Sequence, residues 1–276
     1  MIDSPLLPLP MTFIGGGNMA QALISGWLKQ GVPASELHVV EPLAATRAQL
    51  QALGVHVHER ADAGLGASQG VIWAVKPQVF KEVAQPLARL FPRALHLSVA
   101  AGVRSDSVAR WVGSERIVRA MPNTPALVGL GQTGLFARES VTADERQQVQ
   151  ALMQAIGQSI WVTSEDQLDV VTAMSGSGPA YVFYFIEAMV QAGVEMGLEP
   201  QQAHQLAVGT FVGASELARS SSESPAVLRE RVTSKGGTTY AAISRMQADA
   251  IGRLIGLALA AARQRSVELG QLLDQE

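Results

Sequence analysis

A parallel α/β domain followed by an all-helical domain is the fold the sequence predicts, on three observations. Short apolar runs of strand composition alternate with helical patterns from Met11 to about residue 164. A glycine cluster, GGGN at 15–18, stands where the first apolar run gives way to the first helical pattern. Beyond residue 164 the strand pattern stops and long apolar helical stretches take over. Such alternation builds right-handed βαβ units and a parallel sheet covered on both faces. At 276 residues, 47% hydrophobic and 16% charged, the chain can bury a core of this kind in one large domain or two smaller ones.

Taken in order, the first ten residues, MIDSPLLPLP, hold an acid where a secretory leader has basic residues, and three prolines where it needs helix. They are read as a tail, not a signal peptide. Strands are predicted over MTFIG (11–15), LHVVE (37–41), GVIWAV (70–75), ALHLSVA (94–100) and RIVRAM (116–121), with helices starting near Asn18, Leu43, Pro77 and Arg104. A further strand pair, TGLFA (133–137) and SIWVT (159–163), brackets TADERQQVQALMQAIG, in which Thr142 and Glu145 have capping-box spacing. The first domain therefore spans 11–164.

Residues 165–276 read as helices over EDQLDVVTAM, GPAYVFYFIEAMVQAGVEMG, PQQAHQLAVGTFVGASELARS, SPAVLRERV and ADAIGRLIGLALAAARQRSVELGQLL. Pro179, Pro200 and Pro225 suit first helical turns, and Gly197 suits a helix end. From 179 to 218 the helices are apolar on all sides, so a partner subunit is expected to cover them.

Several function classes are disfavoured. A formal charge of −3 without any Lys/Arg block argues against nucleic acid or an acidic membrane as partner. The greasiest stretch, Ala180 to Leu198, carries Glu187 and Glu195, which suits a buried helix better than a bilayer span. There is no cysteine, hence no disulfide, thiolate catalyst or Cys metal site, and a reducing cytoplasm is the simplest home. His38, His56, His58, His96 and His204 read as surface or strand residues without helical metal-site spacing, so no metal is expected.

The glycine cluster carries the chemistry. Gly15-x-Gly17-x-x-Ala20 follows a strand and opens a helix, with Asn18 and Met19 at its first turn. In a Rossmann-like domain the first glycine makes the tight turn, the second admits a pyrophosphate, and a small third residue lets helix pack on strand. The helix N-terminus then offers free N–H groups to phosphate. A purely structural turn is the alternative, but Glu41 at the end of the second strand stands where an acid binds the adenosine ribose. Its carboxylate accepts from a 2′-hydroxyl and repels a 2′-phosphate, which favours NAD. Arg47 offsets that only by leaning back, and a solvated helix arginine is the plainer reading. Two more strand ends complete the pocket: Ala74, Val75, Lys76 and Pro77, then Ala100, Ala101 and Gly102. Lys76 stands out because the chain has only three other lysines, 29, 81 and 235, although a loop residue fits the pattern equally well.

FIGGGNMAQALISGW, AVKPQ, SVAAGV, VRAMPNTPALVGLG, MSGSGPAYVFYFIEAM and VTSKGGTTYAAI occur in the order and at the spacing of the Δ1-pyrroline-5-carboxylate reductases. The chain resembles that family from Met11 to about Leu269. The resemblance implies a Rossmann domain, then an all-α dimerisation domain interlocked with a second subunit, as a homodimer or a ring of dimers. It implies hydride transfer from NADPH or NADH to a cyclic imine, giving L-proline. It places Gly237 and Thr238, with Ser234 nearby, at the substrate carboxylate, Thr239 at the ring nitrogen, and Met121 and Asn123 at the substrate. A glycine-rich turn opening a helix is a fitting anion site, and a plain helix cap is the alternative. The imine arrives protonated, so a hydroxyl that orients its N–H suffices.

Two departures stand out. Lys235 replaces a frequent proline, and Glu41 stands where many members carry a small hydroxyl residue, which puts the usual NADPH preference in doubt. A β-hydroxyacid dehydrogenase would need a lysine on a helix of the second domain, and none lies between Lys81 and Lys235. A dinucleotide sensor without turnover is the non-enzymatic alternative.

Overall fold

In the computed structural model, which describes residues 8–275, β1 (Met11–Ile14) is buried along its whole length, as suits the centre of a parallel sheet. Residues 1–7 of the expected tail lie outside the described range. The chain continues through α1 (Asn18–Lys29), β2 (Leu37–Val40), α2 (Ala44–Gln51), β3 (His56–His58), β4 (Gly70–Trp73) and α3 (Phe80–Leu87). Then come β5 (Leu95–Ser98), α4 (Ser105–Val112), β6 (Ile117–Met121), β7 (Gly131–Ala137), α5 (Ala143–Gln154) and β8 (Gly157–Trp161). The sheet order is β3-β2-β1-β4-β5-β6-β7-β8. The first six strands are parallel, β7 runs antiparallel to β6, and β8 runs parallel to β7. Successive strands leave β1 in opposite directions, so the sheet has its topological switch point between β1 and β4, where ligands bind in open α/β sheets.

The strand ends fall within about two residues of those read from sequence, with β3 as the exception. HVH is too short and polar to register as a strand. It forms because the edge of β2 is free, and it pairs His38 with His56 and Val40 with His58. His38, His56 and His58 cluster there, with His38 Nδ1 3.2 Å from His58 Nε2. Burial, then the two neighbouring imidazoles, holds His38 below the ordinary histidine pKa, against an opposing pull from Glu36. Among the described residues no three metal-ligating side chains are placed to hold an ion.

Two apolar cores cover the faces of the sheet. One joins Phe13, Leu23, Trp27, Leu37, Val39, Leu50, Val149 and Leu152. The other joins Ile14, Trp73, Phe80, Val108 and Trp111. Trp27 Nε1–H donates to Leu152 O at 2.8 Å, which pins α1 against α5. The Thr142–Glu145 capping box opens α5 as expected. His96 is buried and accepts from Trp73 Nε1–H at 3.1 Å. Desolvation, reinforced by the Arg116 charge, lowers its pKa to about 4, so it stays neutral.

After β8 the described chain is helical: α6 (Gln167–Val171), a π-turn over Thr172–Gly176, α7 (Gly178–Glu195), α8 (Pro200–Ser220), α9 (Pro225–Arg231), α10 (Thr238–Ala248) and α11 (Ile251–Gln275). Packing divides the chain differently from the sequence-based boundary at 165. Among the described residues, one compact unit comprises the chain up to Ser177 together with the chain from Ala262 onward, and the other Gly178–Ala261. The reason is local. Val171 lies so close over β7 that a Cβ on Gly134 would sit 2.7 Å from its Cγ1. The end of α11 is fastened to the first unit by Ser266 Oγ–H donating to Asp169 Oδ1 at 2.6 Å and by contact between Ser107 and Asp274.

Within the second unit, Phe183, Tyr184, Met196, Leu206, Val212 and Leu217 are exposed apolar side chains, Met196 at 81%. That is far more than a lone helical unit leaves in water, and it marks an association surface. No helix of the described residues is long and apolar enough to cross a membrane.

Candidate dinucleotide and substrate site

Gly15 turns the chain out of β1 with φ +99°, and a Cβ there would lie 2.6 Å from Ala74 O. Only glycine combines that backbone with so close an approach to the end of β4. Gly17 differs. It is the N-cap of α1 with ordinary φ −66°, makes no side-chain cap, and a Cβ on it would meet nothing within 4 Å. The first turn of α1 therefore has no side-chain acceptor, and the space beside Gly17 is open. Uncapped amides at the start of a helix, beside open space, are the arrangement that suits an anion.

Glu41 follows β2 and is 7% exposed. Its Oε2 accepts from Gly16 N–H and its Oε1 from Leu43 N–H, both at 2.9 Å. The carboxylate is thus locked to the glycine turn on one side and to its own loop on the other. Arg47 takes the less expected of its two positions. Its Nη1 donates to Glu41 O at 3.0 Å and to Pro42 O at 2.6 Å, and its Nη2 pairs with Glu59 Oε2 at 3.1 Å. Two carbonyls at the end of β2 attract the guanidinium more strongly than open solvent does.

Ala74–Pro77 and Ala100–Gly102 follow the C-terminal ends of β4 and β5, and Met121 ends β6, so these residues share one edge of the sheet with the glycine turn. Lys76 is exposed and caps a short 3-10 turn without a side-chain bond. Asn123 has its amide engaged at both ends: Nδ2–H donates to Ser175 O at 3.0 Å and Oδ1 accepts from Gln132 N–H at 2.8 Å. It joins the loop after β6 to the π-turn, and Met121 packs on Gly176 of the same turn.

Behind this edge lies a network that residue patterns did not single out. Glu165, 9% exposed, accepts from Arg119 Nη1–H at 2.7 Å, from Ser105 Oγ–H at 2.6 Å and from Ser105 N–H at 2.6 Å. It ties β6 to the start of α4, directly after the Ala100–Gly102 loop. Burial pulls the Arg104 pKa down, but its bond to Asp166 and the charges of Glu165, Asp166 and Asp169 outweigh this, and the pKa is raised. Arg119, the second arginine of RIVRAM, was the available signal, since a buried charge inside an apolar strand demands a partner.

In the second unit, Ser234, Gly237, Thr238 and Thr239 share one turn. Gly236 has φ +78°, Gly237 N–H donates to Ser234 O at 3.0 Å, and Gly237 is the N-cap of α10 without a side-chain cap. The turn again leaves helix amides without a side-chain acceptor. Thr239 is half-buried, while Ser234 and Lys235 are exposed.

The sheet crossing, the uncapped glycine turn and the locked acid are those of a dinucleotide-binding protein of the Rossmann class. A family model described as "NADP oxidoreductase coenzyme F420-dependent" matches residues 10–102, and one described as "Pyrroline-5-carboxylate reductase dimerisation" matches residues 165–269. A pyrroline-5-carboxylate reductase of Pseudomonas aeruginosa is 44% identical over 96% of this chain and 98% of its own length. One from Haemophilus influenzae is 41% identical over 95% and 98%. Among solved structures, the pyrroline-5-carboxylate reductase of Coxiella burnetii matches with TM-score 0.90 and 38% identity, covering 95% of this chain and 98% of that one. The Plasmodium falciparum enzyme, solved with NADP bound, matches with TM-score 0.84 and 26% identity over 96% and 100%. The chain belongs to the pyrroline-5-carboxylate reductase family, an NAD(P)H-dependent oxidoreductase that self-associates through its helical part.

Proposed function

We propose that this chain reduces Δ1-pyrroline-5-carboxylate to L-proline with NADH or NADPH, the last step of proline biosynthesis, in the cytoplasm. The observation that carries this reading is that one family member holds two glycine turns, at Gly15–Gly17 and Gly236–Gly237, each opening on a helix start with no side-chain cap. One suits a pyrophosphate and the other a small carboxylate. A steady-state assay of cofactor oxidation with the imine, run with both cofactors, is expected to show turnover. Binding without turnover would instead support the sensor reading.

The bound nicotinamide supplies the hydride to the C=N carbon. Everything else is positioning by this chain. Asn18, Met19 and Ala20 hold the pyrophosphate, Glu41 the ribose, and the Ala74–Pro77 and Ala100–Gly102 segments border the nicotinamide half. Gly237 and Thr238, with Ser234, hold the substrate carboxylate through amides and a hydroxyl; the family resemblance also assigns Met121 and Asn123, at and after the end of β6, to the substrate. The Thr239 hydroxyl accepts from the protonated ring nitrogen, which fixes the face presented for reduction. Thr239→Val is therefore expected to lower kcat/KM by roughly ten- to hundredfold with the fold intact, because one oriented bond to a charged group is worth about 1.5–3 kcal/mol. Parental kinetics in a folded variant would refute the role given to Thr239.

The working form is at least a homodimer, with rings of dimers as the larger assembly. Light scattering at micromolar concentration is expected to give twice the 29.2 kDa chain mass or a multiple of it. A stable, active monomer would contradict this.

A further inference from the structure

We propose that Glu59 and Arg47 together set which dinucleotide this chain accepts, with Glu59 restraining Arg47 so that the ribose edge keeps a net negative charge. The proposal rests on the reading of Gly15–Ala20 and Glu41 as the dinucleotide site.

Three charges meet at the end of β2. Glu41 cannot turn aside for a 2′-phosphate, because doing so would strand the Gly16 and Leu43 amides, one of them buried against the phosphate turn. Arg47 is the cation at hand, with Nη1 placed on the Glu41 and Pro42 carbonyls. It reaches the Glu41 carbonyl and not the carboxylate, so unpaired it would add a positive charge beside Glu41 that favours a phosphate. Its Nη2, however, is paired with Glu59 at 3.1 Å. Two carboxylates against one guanidinium leave one negative charge beside the 2′ position, which suits a hydroxyl and opposes a phosphate. Arg47 is positioned by backbone and Glu59 is 62% exposed, so the acid can be changed without disturbing the core.

The test is calorimetric titration of the full-length protein with NAD+ and with NADP+, which differ only by the 2′-phosphate. The parent is expected to bind NAD+ at least as tightly as NADP+. Glu59→Gln is expected to shift the ratio of the two Kd values toward NADP+ by about threefold to fivefold, the scale of an exposed charge contact, and the gain should shrink with added salt. Adding Arg47→Ala to Glu59→Gln should abolish the gain, which assigns the effect to Arg47 rather than to general surface charge. An unchanged ratio in Glu59→Gln, or a gain that survives Arg47→Ala, overturns the proposal. The underlying site reading fails separately, through absence of binding of either dinucleotide or binding indifferent to Glu41→Ser. That variant is expected to shift the ratio toward NADP+ by about tenfold while weakening both ligands, because it also frees the Gly16 amide.

Discussion

A Gly17→Val variant is expected to fold and melt like the parent while its dinucleotide affinity falls by about a hundredfold or more. Gly17 has a φ that any residue adopts, and no atom lies within 4 Å of a Cβ placed on it, so the folded chain loses nothing. The branched side chain instead occupies the open space beside the start of α1, which the proposed function assigns to the pyrophosphate. Excluding it removes several charge-assisted hydrogen bonds at once, each worth about 1.5–3 kcal/mol. Gly15→Ala makes the contrast. Its Cβ would lie 2.6 Å from Ala74 O on a backbone at φ +99°, so thermal stability should fall along with binding. Fluorescence titration with NADH and thermal unfolding of the two variants distinguish a blocked pocket from a damaged fold. Unimpaired NADH binding by Gly17→Val would place the pyrophosphate elsewhere.

Glu165→Ala is expected to be the most destabilising single change at the site, by about 3–5 kcal/mol, because it leaves Arg119 charged and unpartnered at 6% exposure. For a domain of this size that corresponds to a Tm lower by about 10 °C or more. The double variant Arg119→Met, Glu165→Leu should recover much of the loss, since removing both charges removes the desolvation cost as well. Thermal unfolding of the three proteins checks this. A Glu165→Ala variant within about 1 kcal/mol of the parent would mean that water replaces the carboxylate, contrary to the burial found here.

The elements that depend on their own residues were legible in the sequence. The βα alternation, the glycine turn, Glu41 at a strand end and the Thr142 capping box each follow from local pattern. What depended on tertiary contact was not. β3 exists because β2 offers a free edge to HVH, a segment with no strand signature of its own. The 165–177 stretch reads as the start of the helical part, yet Val171 seats it on β7. The last part of α11 resembles any amphipathic helix until Ser266 meets Asp169. At the site, Arg47 was visible as a residue but not as a conformation, because carbonyls at the end of a strand leave no mark in sequence. Glu165 was silent for the same reason: its three donors come from β6 and the start of α4, far along the chain.

The double anchoring of Glu41 has a consequence for how this chain can change cofactor over evolutionary time. In the proposed site the same carboxylate that accepts from the Gly16 amide also meets the ribose, so replacing it alters two properties at once, the sign of charge at the 2′ position and the order of the glycine turn. A lineage drifting toward the phosphorylated cofactor by that route passes through forms that bind either dinucleotide poorly. Glu59 carries no such second duty. On the role proposed for Glu59, the accessible path runs through the outer residue first, with the inner acid replaced only afterwards.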